Sequence, residues 1–278
     1  MNKLVIIAIF KNESDILKEW IEHHLNMGVD KFLLIDNGST DEYLSIIQKY
    51  IYKNKITLII DEKKWSQNKL YNKYYLNECK KYEWVMVIDL DEFVYSKNGF
   101  NQITDYLDTV KYDIDAITLH WKIFGSNGHI KQPKSVINNF TTMKKKISTD
   151  LGNRKNIIRG KLIKKLDHHK CFINKDNMKI ITPDNNILEY EHIPNNYLSE
   201  EDYNSIINKS YLNLNHYQFQ SYNFWMNIKC KRGDVFNENI VRNENIFNSF
   251  HSKNTFIEDC ELKNLTINLN YFLYNQII

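Results

Sequence analysis

Trp84-Val85-Met86-Val87-Ile88-Asp89-Leu90-Asp91-Glu92 sets five apolar residues directly against a cluster of three acids. A short all-apolar run of this kind suits a strand buried on both faces of a parallel sheet. In open α/β sheets, ligands bind beyond the carboxyl ends of the strands, and the acids stand at such an end. Carboxylates crowded there repel one another unless a counter-charge is present. A divalent cation supplies it, and hard oxygen ligands suit Mg2+ or Mn2+. A bare D-x-D is common by chance, and a solvated acidic turn is the plain alternative. Its position after an apolar strand favours the metal reading.

The chain before this segment alternates strand and helix patterns. Leu4–Phe10 (LVIIAIF) is a continuous apolar run. Ile16, Leu17, Trp20, Ile21 and Leu25 then share one helical face, with Gly28 as a stop. Residues 31–35 predict a second strand that ends at the turn Asp36-Asn37-Gly38. Ser39-Thr40-Asp41-Glu42 fits a capping box ahead of the next helix. Residues 56–60 predict a third strand, and Ser66 to Cys79 a third helix. This β-α-β-α-β-α-β order predicts an α/β domain with a mostly parallel sheet covered by helices on both faces.

Beyond about residue 95 the alternation loosens. Ile114 to Trp121 predicts a strand, followed by the loop Gly125-Ser126-Asn127-Gly128-His129. Residues 131–200 are polar, basic and give no assignment. Tyr203 to Lys231 reads as partly helical, and the alternation of Leu265, Ile267, Leu269, Tyr271 and Leu273 predicts a strand. With no repeat and no linker, the simplest organisation is one domain over residues 1–235 with a C-terminal extension, 236–278, packed on it.

Composition narrows the classes. The 278 residues are 42% hydrophobic and 26% charged, ordinary for a globular protein. A net charge of +3, from 37 basic and 34 acidic residues, argues against a nucleic-acid binder but leaves room for a local phosphate pocket. Cys79, Cys171, Cys230 and Cys260 form no C-x-x-C pair and fit a reducing compartment. The apolar run at the N-terminus meets Lys11 without a cleavage site, so no signal peptide is expected. No stretch approaches the roughly 20 apolar residues of a transmembrane helix. The expectation is a cytoplasmic protein, with peripheral contact at the inner face of a membrane as the other option; oligomeric state is not legible. Phe10-Lys11-Asn12-Glu13 holds no glycine. A dinucleotide-binding loop is thereby excluded and a sugar-phosphate nucleotidyltransferase disfavoured.

Several motifs occur in a fixed order: Lys11-Asn12-Glu13, Glu19-Trp20-Ile21-Glu22-His23-His24, Gly28-Val29-Asp30 and Asp36-Asn37-Gly38-Ser39-Thr40-Asp41. Gln67-Asn68, Ile88 to Phe93, Trp121 with Phe124 to His129, Asn215-His216-Tyr217 and Lys231-Arg232-Gly233 follow. Together they resemble the family 2 and family 92 glycosyltransferases, family 92 more closely. The resemblance covers most of residues 4–235. It implies a GT-A (Rossmann-like) nucleotide-sugar-binding fold and an enzyme that moves a sugar from a nucleotide-sugar donor, usually a UDP-sugar. The acceptor would be a glycan or glycolipid, with inversion and with Mn2+ (or Mg2+) as cofactor. A non-catalytic glycan-binding module on the same fold is the alternative outside enzymology.

What the resemblance implies for residues is specific. Lys11, Asn12 and Glu13 would border the nucleotide, with Asp36 at the base or ribose and Gln67 nearby. Asp89 would approach the ribose and a metal-bound water, Asp91 would bind the metal, and His216 would be a further ligand. His168-His169 is the competing pair, although adjacent histidines point apart. Lys229, Lys231 and Arg232 would neutralise a diphosphate, but for the lysines a basic surface helix is the stronger expectation. Trp121 with Gly125, Ser126 and His129 would shape the sugar or acceptor pocket. A carboxylate must deprotonate the acceptor. Asp167, Asp184, Glu189 and Glu191 qualify by type, and Asp167 and Glu191 are preferred because each neighbours a histidine.

Overall fold

The computed structural model describes residues 2–145, 154–188, 205, 207–233, 239 and 241–266. Its first strand, β1 (Leu4–Phe10), is buried along its whole length. The reason lies in the alternation of a strand across two covered faces. Leu4, Ile6, Ala8 and Phe10 enter one apolar cluster with Ile16, Leu17, Trp20 and Ile21 of helix α1 (Ser14–Asn26). Val5, Ile7 and Ile9 enter another with Leu70, Tyr71 and Tyr75, which lie on a helix of the opposite layer. Two separate cores thus sandwich one sheet, which is why the strand carries no polar residue.

Along the chain follow β2 (Lys31–Asp36), α2 (Tyr43–Tyr52), β3 (Ile56–Ile60), α3 (Gln67–Tyr75), β4 (Trp84–Val87), β5 (Glu92–Ser96), α4 (Ile103–Thr109) and β6 (Ala116–Ile123). Then come α5 (Val136–Asn139), β7 (Thr142–Lys144), β8 (Arg154–Arg159), β9 (Ile163–Lys165) and β10 (Phe172–Ile173). β11 (Ile180–Ile181), β12 (Ile187–Leu188), β13 (Leu212–His216), α6 (Glu244–Lys253) and β14 (Phe256–Glu258) complete the labelled elements. Strands β3, β2, β1 and β4 are neighbours in that order and all parallel. β8 then pairs antiparallel with both β4 and β6, so β6 runs in the direction of β4. β13 bridges the far half of β6, in parallel, to β5, in antiparallel. The α/β class with a mostly parallel sheet is as the sequence pattern predicts. The carboxyl ends of β1, β2, β4 and β6 consequently share one edge.

Three local expectations change. The capping box is not formed: Glu42 precedes α2 without a side-chain cap. Ser39 Oγ instead accepts the Asn12 N–H at 3.0 Å, and Asp41 Oδ2 accepts the Ser14 N–H at 2.8 Å. The turn after β2 therefore caps α1, not α2. Within the segment read as partly helical, residues 212–216 are strand, and the described helical residues are 205, 207–209 and 222–232. The strand expected from Leu265 is not seen at its start, where residues 261–266 are helical, and its remainder lies outside the described residues.

The stretch after α6 is stitched into the main body. β14 pairs with β7, and Leu262 joins the larger core cluster. Beneath it, the fully buried Lys122 ammonium contacts Asp259 at 2.5 Å and Glu261 at 3.4 Å. Lys97 also pairs with Glu261, and Tyr95 donates its hydroxyl to the same carboxylate at 2.6 Å. All four cysteines are unpaired. Among the described residues no helix is long and apolar enough to cross a membrane.

Removing Lys122 would strand Asp259 and leave Glu261 with Lys97 as its one cation among the described residues, so Lys122→Met is expected to destabilise the fold by about 3 kcal/mol in chemical denaturation. Burial raises the Glu261 pKa, but Lys122, Lys97 and Tyr95 more than offset this and hold it at about 2, below its ordinary 4.5. A depressed folded pKa contributes stability above the unfolded value that is lost as pH falls through the folded one. Denaturation at stepped pH should therefore show stability declining between pH 4.5 and 2 with a slope that Glu261→Gln flattens.

Candidate active site

Asp89-Leu90-Asp91-Glu92 is a tight turn between β4 and β5. The Glu92 N–H closes it on the Asp89 carbonyl at 3.1 Å, and Glu92 Oε2 accepts the Asp89 N–H at 2.9 Å. Leu90 is buried, which anchors the turn and sends the two aspartates toward a cleft of about 260 Å³. Lys11 and Glu13 reach that cleft from the end of β1, Gln67 from the start of α3, Trp121 from β6 and His216 from the end of β13. His168, His169, Lys229, Arg232 and Arg242 complete much of the remaining wall.

Each acid meets a cation. Lys155 on β8 is fully buried and reaches Asp89 at 3.0 Å and Glu92 at 3.3 Å. Burial opposes its charge, yet the two carboxylates more than restore it and its pKa lies above the ordinary lysine value. Burial likewise pushes Asp89 up, but the Lys155 ammonium prevails and holds it at about 2. Glu92 is 0% exposed, and there burial wins, raising its pKa to about 7 against the pull of Lys155. Asp91 is opposed by burial in the same way, and Lys229 and His216 hold it well below the carboxylate range. Lys229 pairs with Asp91 Oδ2, and Arg232 with Glu13 and, at 3.1 Å, the Lys11 carbonyl.

Several buried polar atoms around this cleft make no hydrogen bond among the described residues: Glu13 Oε2, Asp91 Oδ1, Trp121 Nε1, His216 Nδ1 and Arg232 Nε. Buried groups of this kind call for a partner. Asp91 Oδ1 lies 3.4 Å from His216 Nε2. The Trp121 ring is wedged between two imidazoles, 4.2 Å from His216 and 5.3 Å from His169. Burial and the Lys155 charge lower the His169 pKa to about 4.

Of the residues singled out in the sequence, Lys11, Glu13, Gln67, Asp89, Asp91, Trp121, His216 and Arg232 come together here. Gln67 Nε2 sits 3.4 Å from Asp89 Oδ1. Others do not join them. Asn12 Oδ1 accepts the Thr40 N–H and fastens two loops. Asp36 spends its oxygens on the Ser39 N–H at 2.8 Å and the Tyr43 hydroxyl at 2.9 Å. Gly125, Ser126 and His129 pack elsewhere. A Cβ on Gly125 would meet the Phe256 ring at 2.8 Å, the Ser126 N–H donates to His251, and His129 contacts the Asn139 carbonyl. The space beside this glycine is filled by an aromatic ring of the protein itself. Lys231 is exposed, as a surface lysine should be, whereas Lys229 is buried, contrary to the surface-helix expectation.

Asp167 is not among the residues that line the cleft. Its Oδ2 accepts from Asn68 at 2.7 Å, and its Oδ1 accepts the His169 and Lys170 N–H groups at 2.9 Å each. It orders the turn that presents the two histidines. Asp184 is likewise tied to Asn186 at 2.6 Å. Glu189 and Glu191 lie outside the described residues.

Sequence reasoning missed Lys155 and Glu92 as a buried pair. The only signal for Lys155 was two apolar residues, Ile157 and Ile158, just beyond it in a basic stretch.

The sequence pattern of glycosyltransferase family 92 matches residues 6–260, and the chain belongs to that family. A family 92 protein of Ricinus communis is 29% identical over 102 residues, covering 36% of this chain and 18% of its own length. One of Oryza sativa subsp. japonica is 28% identical over 138 residues, covering 48% of this chain and 23% of its own. The matches thus take in about a fifth of the length of these curated relatives. The crystal structure of S. aureus TarS 1-349 in complex with UDP is similar at 21% identity, with a TM-score of 0.40 over 58% of this chain and 48% of that one.

Lys155→Met should cost about 3–5 kcal/mol at neutral pH by leaving Asp89 and Glu92 without their cation. Adding Asp89→Asn removes the stranded charge and should recover more than about 1 kcal/mol, a coupling readable in a double-mutant cycle.

Proposed function

We propose that the chain is a metal-dependent glycosyltransferase that moves a sugar from a UDP-sugar to a hydroxyl of a glycan or lipid-linked acceptor, with inversion. The observation that carries this reading is the cleft itself. Asp89 and Asp91 face it on a rigid turn at the carboxyl edge of the sheet, and Lys11, Lys229, Arg232 and Arg242 line the same small volume. Acids suit a cation, and the surrounding bases suit a diphosphate. Membership of a glycosyltransferase family supports a nucleotide-sugar donor, and UDP is the nucleotide taken for this proposal.

The donor set fits Mn2+ or Mg2+ in part. Asp91 Oδ1 and His216 Nε2, 3.4 Å apart, are an oxygen and a nitrogen spaced as neighbouring ligands of one ion, and the oxygen has no hydrogen bond among the described residues. No cluster of three or more His, Cys, Asp or Glu side chains that could enclose an ion occurs among those residues. Such a site leaves positions for phosphate oxygens and water, as Mg2+-type sites do. When bound, the cation would neutralise charge developing on the leaving diphosphate.

In the reaction, the acceptor oxygen attacks the anomeric carbon as the bond to the diphosphate oxygen breaks, and the acceptor proton passes to a base. Arg232 presents a fixed fork, held by Glu13, to the diphosphate. Trp121 offers its ring edge and indole N–H where the sugar would lie. Lys155 keeps Asp89 ionised throughout. Glu191 is retained as the candidate base, since Asp167 is engaged by its own turn.

A thermal-shift panel of nucleotide sugars with and without Mn2+ tests the reading. One UDP-sugar should stabilise the protein only with Mn2+, by about 2.7 kcal/mol at a hundredfold excess over Kd, and Asp91→Asn should abolish the effect. Stabilisation indifferent to both the metal and Asp91 would overturn it.

A further inference from the structure

The cations of the cleft are not equivalent. Lys155 is shared between two carboxylates, and Arg232 is held by Glu13 together with the Lys11 carbonyl. Among the described residues Lys229 has a single anionic partner, Asp91, and it engages only Oδ2. The other oxygen of that carboxylate is the one that faces His216. One aspartate therefore offers one face to a lysine and the opposite face to the predicted metal position.

The backbone that carries Lys229 is unusual and well anchored. Residues Trp225–Lys229 form a π-helical turn inside the helical stretch 222–232. Such turns concentrate at functional sites because they re-aim side chains. Trp225 is buried, stacks on Phe219 at 4.8 Å and donates its indole N–H to the Asn243 carbonyl at 2.9 Å. The stretch is also capped by the Ser221 hydroxyl, which accepts the Phe224 N–H at 3.1 Å. With the helix pinned, any movement of the Lys229 ammonium has to come from rotation of its own long side chain, and a lysine ammonium is a point charge suited to that.

We propose that Lys229 is a tethered counter-ion that exchanges between Asp91 and the donor diphosphate, making cation binding conditional on donor binding. The inference rests on the reading of this cleft as a metal and diphosphate site. While Lys229 sits on Asp91, its charge opposes a divalent ion at the other oxygen of the same carboxylate. An arriving diphosphate gives the ammonium a second anion within the same cleft. The turn of the side chain then unmasks Asp91 for the ion, and by linkage the ion favours the diphosphate equally. Metal and donor would enter as a pair, and the free enzyme would hold little metal.

The test is titration of Mn2+ by electron paramagnetic resonance of the free ion, with and without UDP, in the wild type, Lys229→Met and Lys229→Gln. Circular dichroism confirms folding, and two different substitutions guard against one that fails to fold. In the wild type, UDP should tighten Mn2+ binding about tenfold or more. In the variants, Mn2+ alone should bind about tenfold more tightly than to the wild type, and the tightening by UDP, corrected for Mn2+ held by free UDP, should shrink to the part that direct ligation by phosphate oxygens supplies. Equal Mn2+ affinity in wild type and variants without UDP, or unchanged coupling, overturns the exchange while leaving the metal reading intact. No Mn2+ binding to any form, even with UDP, overturns both.

Discussion

Three carboxylates within four residues, held on a turn whose centre is buried, create the constraint to which the rest of this molecule answers. Asp91 and Glu92 are almost wholly removed from water, and Asp89 shares their turn. Unpaired, they could not all stay charged. The chain resolves this with lysines drawn from distant segments, Lys155 from β8 and Lys229 from the π-helical turn. Both segments must therefore reach the carboxyl edge of the parallel sheet, and the topology brings them there. β8 is inserted antiparallel between β4 and β6 so that its beginning, not its end, lies beside Asp89. β13 delivers His216 opposite Glu92 and leads into the helical stretch that carries Lys229 and Arg232.

The same constraint separates the two aspartates chemically. Asp89 is locked by Lys155 and braced by Gln67, so it is a fixed negative charge. Asp91 has a lysine on one oxygen and an imidazole facing the other. It is the carboxylate whose partners can change. This difference is what the proposal of Asp91 as the direct metal ligand rests on, since a D-x-D pattern alone assigns neither role.

How much was legible follows from the kind of signal each element leaves. β1, β2 and β4 were readable because strands buried on both faces show as unbroken apolar runs, the edge strand β3 because four of its five residues are still apolar, and the helices between them as one-sided stripes. β8 was not, because Arg154-Lys155-Asn156-Ile157-Ile158-Arg159 has only two apolar residues, and its lysine is buried by a partner far along the chain. In a sequence rich in lysine, a buried one looks like any surface one. β13 was lost for a subtler reason: Leu212-Asn213-Leu214-Asn215 does alternate with period two, but it sits among aromatics that mimic a helical stripe. At the site, the residues just beyond β1 and β4 could be placed in advance, whereas Asp36 at the end of β2 turned inward to Ser39 and Tyr43. Gly125 could not be placed, since a glycine signals close approach without saying whether a ligand or Phe256 makes it.

The C-terminal stretch deserves the same physical reading. Asp259 and Glu261 lie more than a hundred residues beyond Lys122 and Tyr95, yet they neutralise a lysine buried in β6 next to Trp121. Asn213 of β13 donates to Glu261 at 2.9 Å, so the same carboxylate also ties down the strand that ends in His216. One ion network beneath the sheet thus fixes β5, β6 and β13 relative to one another, and above it those strands carry Glu92, Trp121 and His216. The alternation of side chains across a strand makes this arrangement economical: Lys122 points to the hidden network and Trp121 to the cleft. The stretch after α6 is on this account part of what holds the cleft in shape, since without its two acids Lys122 would be an uncompensated charge at the base of the site.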